Sequence, residues 1–335
     1  MAFSFSEFSP PRLPRFLKTV RRVVLQAIPT VILILLLNFA LLQAAPGDAV
    51  DAMLSEAGDD AILQNMRQAL HLGGGVLDQL LRYVNNLANF SLGTSLVYSI
   101  PVSEVVMERL GHTVILMTAA FVLALVIGST LGILMALFSG SWIDRGLSIV
   151  AVLFYSTPSF WIGLMLIVVF AAHLGWLPSG GAGTIGVDPM TWHGLIDRAR
   201  HLLLPALSAS TFHIAIYARL MRASILEVRS QDFVRTAYAK GVSPSGVLFR
   251  HVIRNALIPL TTMAGMHVGS ILGGAVVVET VYGWPGLGRL MIEAITNRDY
   301  PVLLGVLLMS SLLVIFANMV IDIIQTFLDP RIVVR

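Results

Sequence analysis

Residues 110–143 read LGHTVILMTAAFVLALVIGSTLGILMALFSGSWI and contain no Asp, Glu, Lys or Arg. A bilayer hydrocarbon core about 30 Å thick is crossed by roughly 20 apolar residues in α-helix, so this stretch predicts a membrane-spanning helix with residues to spare. Five more stretches lack those four residue types: 23–47, 146–187, 201–218, 255–278 and 300–321. The 146–187 stretch closes on a polar, glycine-rich tail, Ser179-Gly180-Gly181-Ala182-Gly183, so its spanning part is 147–174. The 201–218 stretch is short and runs on past Arg219 to 224. The expected fold is all-α and integral to the membrane, with six transmembrane helices near 23–45, 112–138, 147–174, 202–224, 256–278 and 302–327.

The composition supports this reading. Of 335 residues, 56% are hydrophobic and only 12% are charged, against about 25% charged in soluble domains. Mean hydropathy is +0.82. Cysteine is absent, which excludes disulfides, thiolate metal sites and cysteine nucleophiles. The two lysines, Lys18 and Lys240, follow Leu17 and Ala239, so no G-x-x-x-x-G-K-[ST] phosphate loop exists. ATP-driven work would need ATP bound on another chain.

An even number of spans puts both termini on one side. Arg12, Arg15, Lys18, Arg21 and Arg22 precede the first span, and the positive-inside rule assigns that side to the cytoplasm. Arg145, the arginine-rich segment from Arg219 to Arg254, and Arg331 and Arg335 fall on the same side, leaving a smaller basic set outside. A cleaved signal peptide ending near Leu42-Gln43-Ala44-Ala45 is the competing reading, but the apolar stretch is longer than the usual 7–15-residue core of such a peptide.

Three loops hold more than connection. Segment 46–111 carries helical spacing over 59–72 and 76–89, separated by Gly73-Gly74-Gly75, and reads as a small folded outer insertion or a solvated linker. Segment 279–301 holds Glu279, Tyr282, Trp284, Pro285 and Gly286; its glycine and proline density demands turns, Tyr282 and Trp284 suit a membrane interface, and a short amphipathic helix follows near Arg289–Ile295. Segment 225–255 predicts a helix over 231–240, a C-terminal glycine at Gly241, Ser243 as N-cap and Pro244 as first residue of a second helix reaching 256. It is a basic surface loop or a rigid helix-turn-helix on the cytoplasmic face.

Several motifs, in order, carry a family resemblance: Ala45-Pro46-Gly47-Asp48, Leu92-Gly93-Thr94-Ser95, Glu108-Arg109-Leu110-Gly111-His112-Thr113, Ser156-Thr157-Pro158-Ser159-Phe160-Trp161, Leu174-Gly175-Trp176-Leu177-Pro178, Arg235-Thr236-Ala237-Tyr238-Ala239-Lys240-Gly241, Arg250-His251, Arg254-Asn255-Ala256, Trp284-Pro285-Gly286-Leu287-Gly288, Arg298-Asp299-Tyr300-Pro301 and Leu328-Asp329-Pro330-Arg331-Ile332. Over residues 20–335 the chain resembles permease subunits of bacterial ATP-binding-cassette importers, in the dipeptide/oligopeptide/nickel branch, and the first of the two paired permeases in particular.

The resemblance implies a type I importer fold, N-in and C-in, at the bacterial inner membrane. The basic tail would be 1–22, the first helix 23–45, the extracytoplasmic insertion 46–111, the permease core 112–328 with coupling loop 225–255, and the C-terminal tail 329–335. It implies no cofactor on this chain, with ATP and Mg held by partners. Those partners are a second homologous permease, two ATP-binding subunits and an extracytoplasmic substrate-binding protein. Coupling to the ATPase would fall to Arg235, Thr236, Ala237, Lys240, Gly241, Ser243 and Pro244. The chain departs from the general Glu-Ala-Ala-x-x-x-Gly pattern at Arg235 and Thr236, Tyr238 sits where the branch often has arginine, and Leu72-Gly73-Gly74-Gly75 stands where the branch has a Leu-Asp-x-Pro-like turn.

Individual residues leave alternatives. Gly265, Gly269 and Gly273 recur every fourth residue on one face of the fifth span, for close packing at a permease–permease interface, along a path or within the subunit. Gly128 and Gly132 form a similar pair, with packing inside the subunit as the simpler role. Pro158 predicts a kink, mobile or static, in the third span. Arg219, Glu279 and Asp322 sit near span ends, where snorkelling competes with function. His213, His251 and His267 show no close ligand spacing, so structural roles outweigh nickel binding. No enzyme motif of the H-E-x-x-H or G-x-S-x-G type occurs, and the lack of mid-membrane acids disfavours an ion-coupled carrier. Peptide is the expected cargo; nickel, glutathione, opine or oligosaccharide are alternatives.

Overall fold

In a computed structural model the described residues are 25, 28–40, 76–89, 91–95 and 97–328. The basic tail 1–22, the helix expected over 59–72, Gly73-Gly74-Gly75 and the tail 329–335 lie outside them, as does all of 46–75.

Uninterrupted apolar sequence dictates helix, and ten helices account for most of what is described. They are α1 (Ile28–Ala40), α2 (Val76–Ala88), α3 (Val102–Leu137), α4 (Trp142–Ser156), α5 (Ser159–Leu166), α6 (Trp192–Arg229), α7 (Asp232–Ala239), α8 (Arg254–Val281), α9 (Leu287–Thr296) and α10 (Tyr300–Leu328). Among the described residues, extended pairing is limited to one bridge between Thr94 and Pro101. Residues Val102–Leu137, Trp192–Arg229 and Tyr300–Ile321 are each long and apolar enough to cross a bilayer alone. Leucine, isoleucine and valine side chains stay exposed on α1 and α3, among them Leu33, Leu36, Ile115, Val122 and Val126. A helix apolar all round belongs in hydrocarbon.

The third span departs from expectation. A single kinked helix was expected over 147–174. Instead α4 and the helix that follows are bent by 110° at Thr157–Pro158. Proline lacks an N–H and forces the preceding residue out of helical geometry. Thr157 accordingly sits at φ −94°, ψ 130°. The chain restarts at once, with the Pro158 carbonyl accepting from the Trp161 and Ile162 amides. Beyond Leu166 the helix widens into a π-helical stretch, Ile167–His173. The pair begins where Asp144 meets Arg222 of α6 and leads to Gly180, whose carbonyl lies 2.8 Å from His201 Nδ1. Arg222 and His201 are roughly 31 Å apart along α6 at about 1.5 Å per residue.

Two units pack separately. Of the described residues, one contains 114–284 and 314–328. Its largest core joins α3, α6, α7 and α8 through Tyr217, Met221, Ile225, Val234, Ala237 and Leu260. Glycine lets α3 approach α6 closely. A Cβ on Gly128 would lie 2.8 Å from Tyr217 Cβ, and one on Gly132 would lie 2.5 Å from the Ala218 carbonyl oxygen. The pair thus packs helices within the subunit.

The other unit contains the described residues between 25 and 113, together with 285–313. Val102, Val105 and Val106 of α3 pack against Leu287, Leu290 and Ala294 of α9 and against Val302 and Val306 of α10. A polar knot closes it. Buried Asp299 accepts hydrogen bonds from Ser95 Oγ at 2.5 Å, the Val97 amide at 3.2 Å and the Val302 amide at 3.3 Å.

Candidate functional site

The segment read as a coupling surface forms a helix, a glycine turn and a second helix. Asp232–Ala239 is helical, with Lys240 as its C-cap. Gly241 then takes φ +78°, the left-handed geometry that favours glycine at a helix end. Its amide donates to the Tyr238 carbonyl at 2.9 Å, and the Val242 amide to the Ala237 carbonyl at 3.2 Å. Ser243 caps the next helix, its Oγ accepting from the Gly246 amide at 3.3 Å, with Pro244 in the first turn. Pro244–Gly246 passes through a π-helical stretch, Val247–Ile253, straight into α8.

Alternation of apolar and polar residues fixes which side is anchored. Val234, Ala237, Val247, Val252, Ile253 and Ala256 are buried in the core shared with α6. Phe233, Arg235, Thr236, Tyr238, Lys240, Ser243, Pro244, Phe249 and Arg250 remain exposed. Arg235 Nη1 lies 3.6 Å from Asp232 Oδ1, with both side chains largely solvated, so the pair adds little stability. The result is a held platform bearing three exposed aromatic rings among cationic groups.

At the far end of α8 the turn is more deeply seated than an interface reading implies. Tyr282 and Trp284 are 1% and 3% exposed. The Tyr282 hydroxyl donates to the Gly163 carbonyl at 3.1 Å. Trp284 packs with Leu116, Met117 and Ala120 of α3 and with Ala206 and Ala275. Glu279 is fully buried rather than snorkelled, and its carbonyl accepts from the Trp284 amide at 2.8 Å. The Tyr282 carbonyl accepts from the Gly181 amide at 2.8 Å, so the glycine tail of the third span is clamped to this turn. Pro285 is half-buried, and Gly286 is the N-cap of α9.

The glycine face of α8 divides. Gly265 is buried. A Cβ at Gly269 would meet Val314 Cγ1 at 3.2 Å and the Asn318 amide beyond it, which assigns Gly269 to packing against α10 of the same chain. Gly273 lies in the helix, its surroundings outside the described residues, as is the Asp322 side chain.

Sequence spacing misses three constellations. Arg222 holds Asp144 in a two-pronged ion pair, Nε to Oδ1 and Nη2 to Oδ2, both at 2.8 Å, and Asp144 also accepts from the Gly140 amide at 3.0 Å. Asp144 and Arg145 are the charged residues in an otherwise uncharged run from 110 to 187, a signal with no pointer to position 222. His213 and His267 face edge to plane with centroids 5.5 Å apart, and Tyr217 stacks on His267 at 6.0 Å. Tyr155 stacks on Phe212 at 5.1 Å, with Arg219 Cζ 4.7 Å from the Tyr155 ring centre.

Comparison with known proteins gives concordant matches. The family described as "Binding-protein-dependent transport system inner membrane component" matches residues 128–334. The oligopeptide transport system permease protein AppB of Bacillus subtilis (strain 168) is 38% identical over 312 residues, covering 93% of this chain and 98% of that protein. The di/tripeptide transport system permease protein DppB of Pseudomonas aeruginosa (strain UCBPP-PA14) is 41% identical over 322 residues, covering 91% and 95%. Among solved structures, an inward-facing MetNI methionine ABC transporter chain superimposes with a TM-score of 0.54 at 17% identity, over 68% of this chain and 97% of that one. At that identity the likeness concerns the fold.

Proposed function

Because the chain belongs to the family of inner membrane components of binding-protein-dependent transport systems, we propose that it is the first of two paired permease subunits of an ATP-driven peptide importer. The observation that carries the cargo is near-full-length similarity to two peptide permeases, at 38% and 41% identity. In this reading the chain catalyses no reaction. ATP and Mg bind to two partner ATPases, a companion permease completes the path, and an extracytoplasmic binding protein delivers the peptide.

The proposed topology has six spans at the bacterial inner membrane with both termini in the cytoplasm. Three apolar helices and the bent pair support four of them. The apolar helices α1 and α8 supply the first and fifth. The matched ends of the bent pair and α6 support its crossing rather than re-entering.

The exposed platform of 232–250 docks on the motor. When ATP closes the motor subunits, they displace Pro244 and the helix it begins. Because that helix runs unbroken to Val281, the displacement reaches the Tyr282 turn and the Gly181 loop clamped to it. An inner gate closes as an outer one opens. ATP-bound closure and the outward-open state must then stabilise each other equally.

The test is labelled tripeptide uptake into proteoliposomes holding the assembled transporter. Uptake is expected to require ATP on the motor side and the binding protein on the other, and to survive a protonophore. Uptake driven by a proton gradient without ATP would overturn the reading.

A further inference from the structure

Arg219 of α6 is exposed, three residues before Arg222, whose charge is paired with Asp144. Among the described residues no carboxylate lies within ion-pair distance of it. A long cationic side chain near a span end ordinarily snorkels toward the nearer water. For Arg219 the nearer end is the one marked by the Asp144–Arg222 pair, a single turn away along α6. Its guanidinium goes the other way. It rests 4.7 Å from the centre of Tyr155, a ring stacked in turn on Phe212. Phe212 lies roughly 10 Å from Arg219 along α6, at about 1.5 Å per residue, on the side away from Arg222. The cation is thus directed toward the middle of the span, and Tyr155, which carries it, and Phe212, stacked behind Tyr155, are both exposed, at 46% and 40%.

A charge held outward at that depth needs a polar neighbour. Hydrocarbon supplies none, whereas a water-lined path does. Resting on the peptide reading above, we infer that Arg219, Tyr155 and Phe212 form a carboxylate-recognition site on the permeation path, taking the C-terminal carboxylate of the passing peptide. Tyr155, backed by Phe212, keeps the guanidinium oriented while leaving its outer N–H edge free. A planar fork matches a carboxylate in two parallel hydrogen bonds, and a solute that must leave again is suited by one such exposed contact rather than a closed pocket.

The experiment uses the complete transporter in proteoliposomes, with wild-type, Arg219→Lys, Arg219→Gln, Arg219→Glu and Tyr155→Leu permease and two probes, Ala-Ala-Ala and its C-terminal amide. Uptake of the free acid is expected to fall in the order Arg, Lys, Gln, Glu, by about tenfold at Gln, in line with loss of a charged hydrogen bond. Tyr155→Leu is expected to lower it less than Arg219→Gln does. Arg219→Gln is expected to lower amide uptake less than twofold. Subunit composition is expected to stay unchanged throughout. Equal uptake by the Gln and Arg forms, an equal fractional loss for acid and amide, or loss of the companion permease from the Gln complex would each overturn the site. No uptake of either probe by the wild-type complex would overturn the peptide reading and this site together.

Discussion

Gly241 shows how one dihedral angle sets the turn on which the proposed docking rests. At φ +78° it turns the chain between the two exposed helices of the platform. Proline is locked near −65° and cannot donate the bond that the Gly241 amide makes to Tyr238. Gly241→Pro is expected to abolish uptake and substrate-stimulated ATPase while the subunits still insert and co-purify; unchanged uptake would remove the docking role. Gly241→Ala, with about 1–2 kcal/mol of left-handed strain, is expected to give an intermediate rate. Gly132 is a steric rather than a dihedral constraint. In Gly132→Val the new Cβ meets the backbone of α6 at 2.5 Å, and overpacking of this kind costs about 1–3 kcal/mol. A lower melting temperature in detergent is expected, against none for Gly111→Ala, where nothing lies within 4 Å. Gly241 was legible from sequence because a helix-ending glycine before a Ser-Pro start is a local signature. The burial of Tyr282 and Trp284 was not, because interface aromatics and core aromatics are the same residues until their neighbours are known.

At the level of elements, helix starts and stops followed local chemistry closely. Ser243-Pro244 opened a helix, Gly286 opened α9, and Thr191 capped α6 through its Oγ1 on the Gly194 amide at 3.1 Å. The break at Pro158 was visible as a proline and its size was not, since the bend depends on what the restarted helix packs against. Ser208 Oγ, for instance, donates to the Ser159 carbonyl at 3.1 Å. The Asp144–Arg222 pair secures the opposite end of that element. Asp144→Ala and Arg222→Ala are each expected to lower the melting temperature, and the double variant by less than the two losses combined; strict additivity would mean the pair contributes nothing as a pair. Ser95 and Asp299 make the same point across 204 residues of sequence: each sits in a motif legible by itself, while their meeting is a product of the fold.

For the whole molecule, the apolar runs disclosed a membrane protein, and the motif order disclosed its family, because both are properties of sequence alone. Partner-facing surfaces are a different matter, since one chain displays lipid-facing and subunit-facing leucines alike. The absence of cysteine makes topology directly testable. Ser245→Cys and Ile185→Cys, both at exposed positions, are expected to react with an impermeant maleimide from opposite faces of sealed vesicles, position 245 from the cytoplasmic face. Labelling of both from one face would refute the proposed crossing of the bent pair.

The unbroken run from Pro244 through Val281 has a mechanical corollary. Its winding continues through the π-helical Val247–Ile253 and past Pro259, the two places where such a helix bends most readily. In the proposed cycle, that continuity ties the two doors of the passage to one strut, so that opening one while the other stands open is disfavoured.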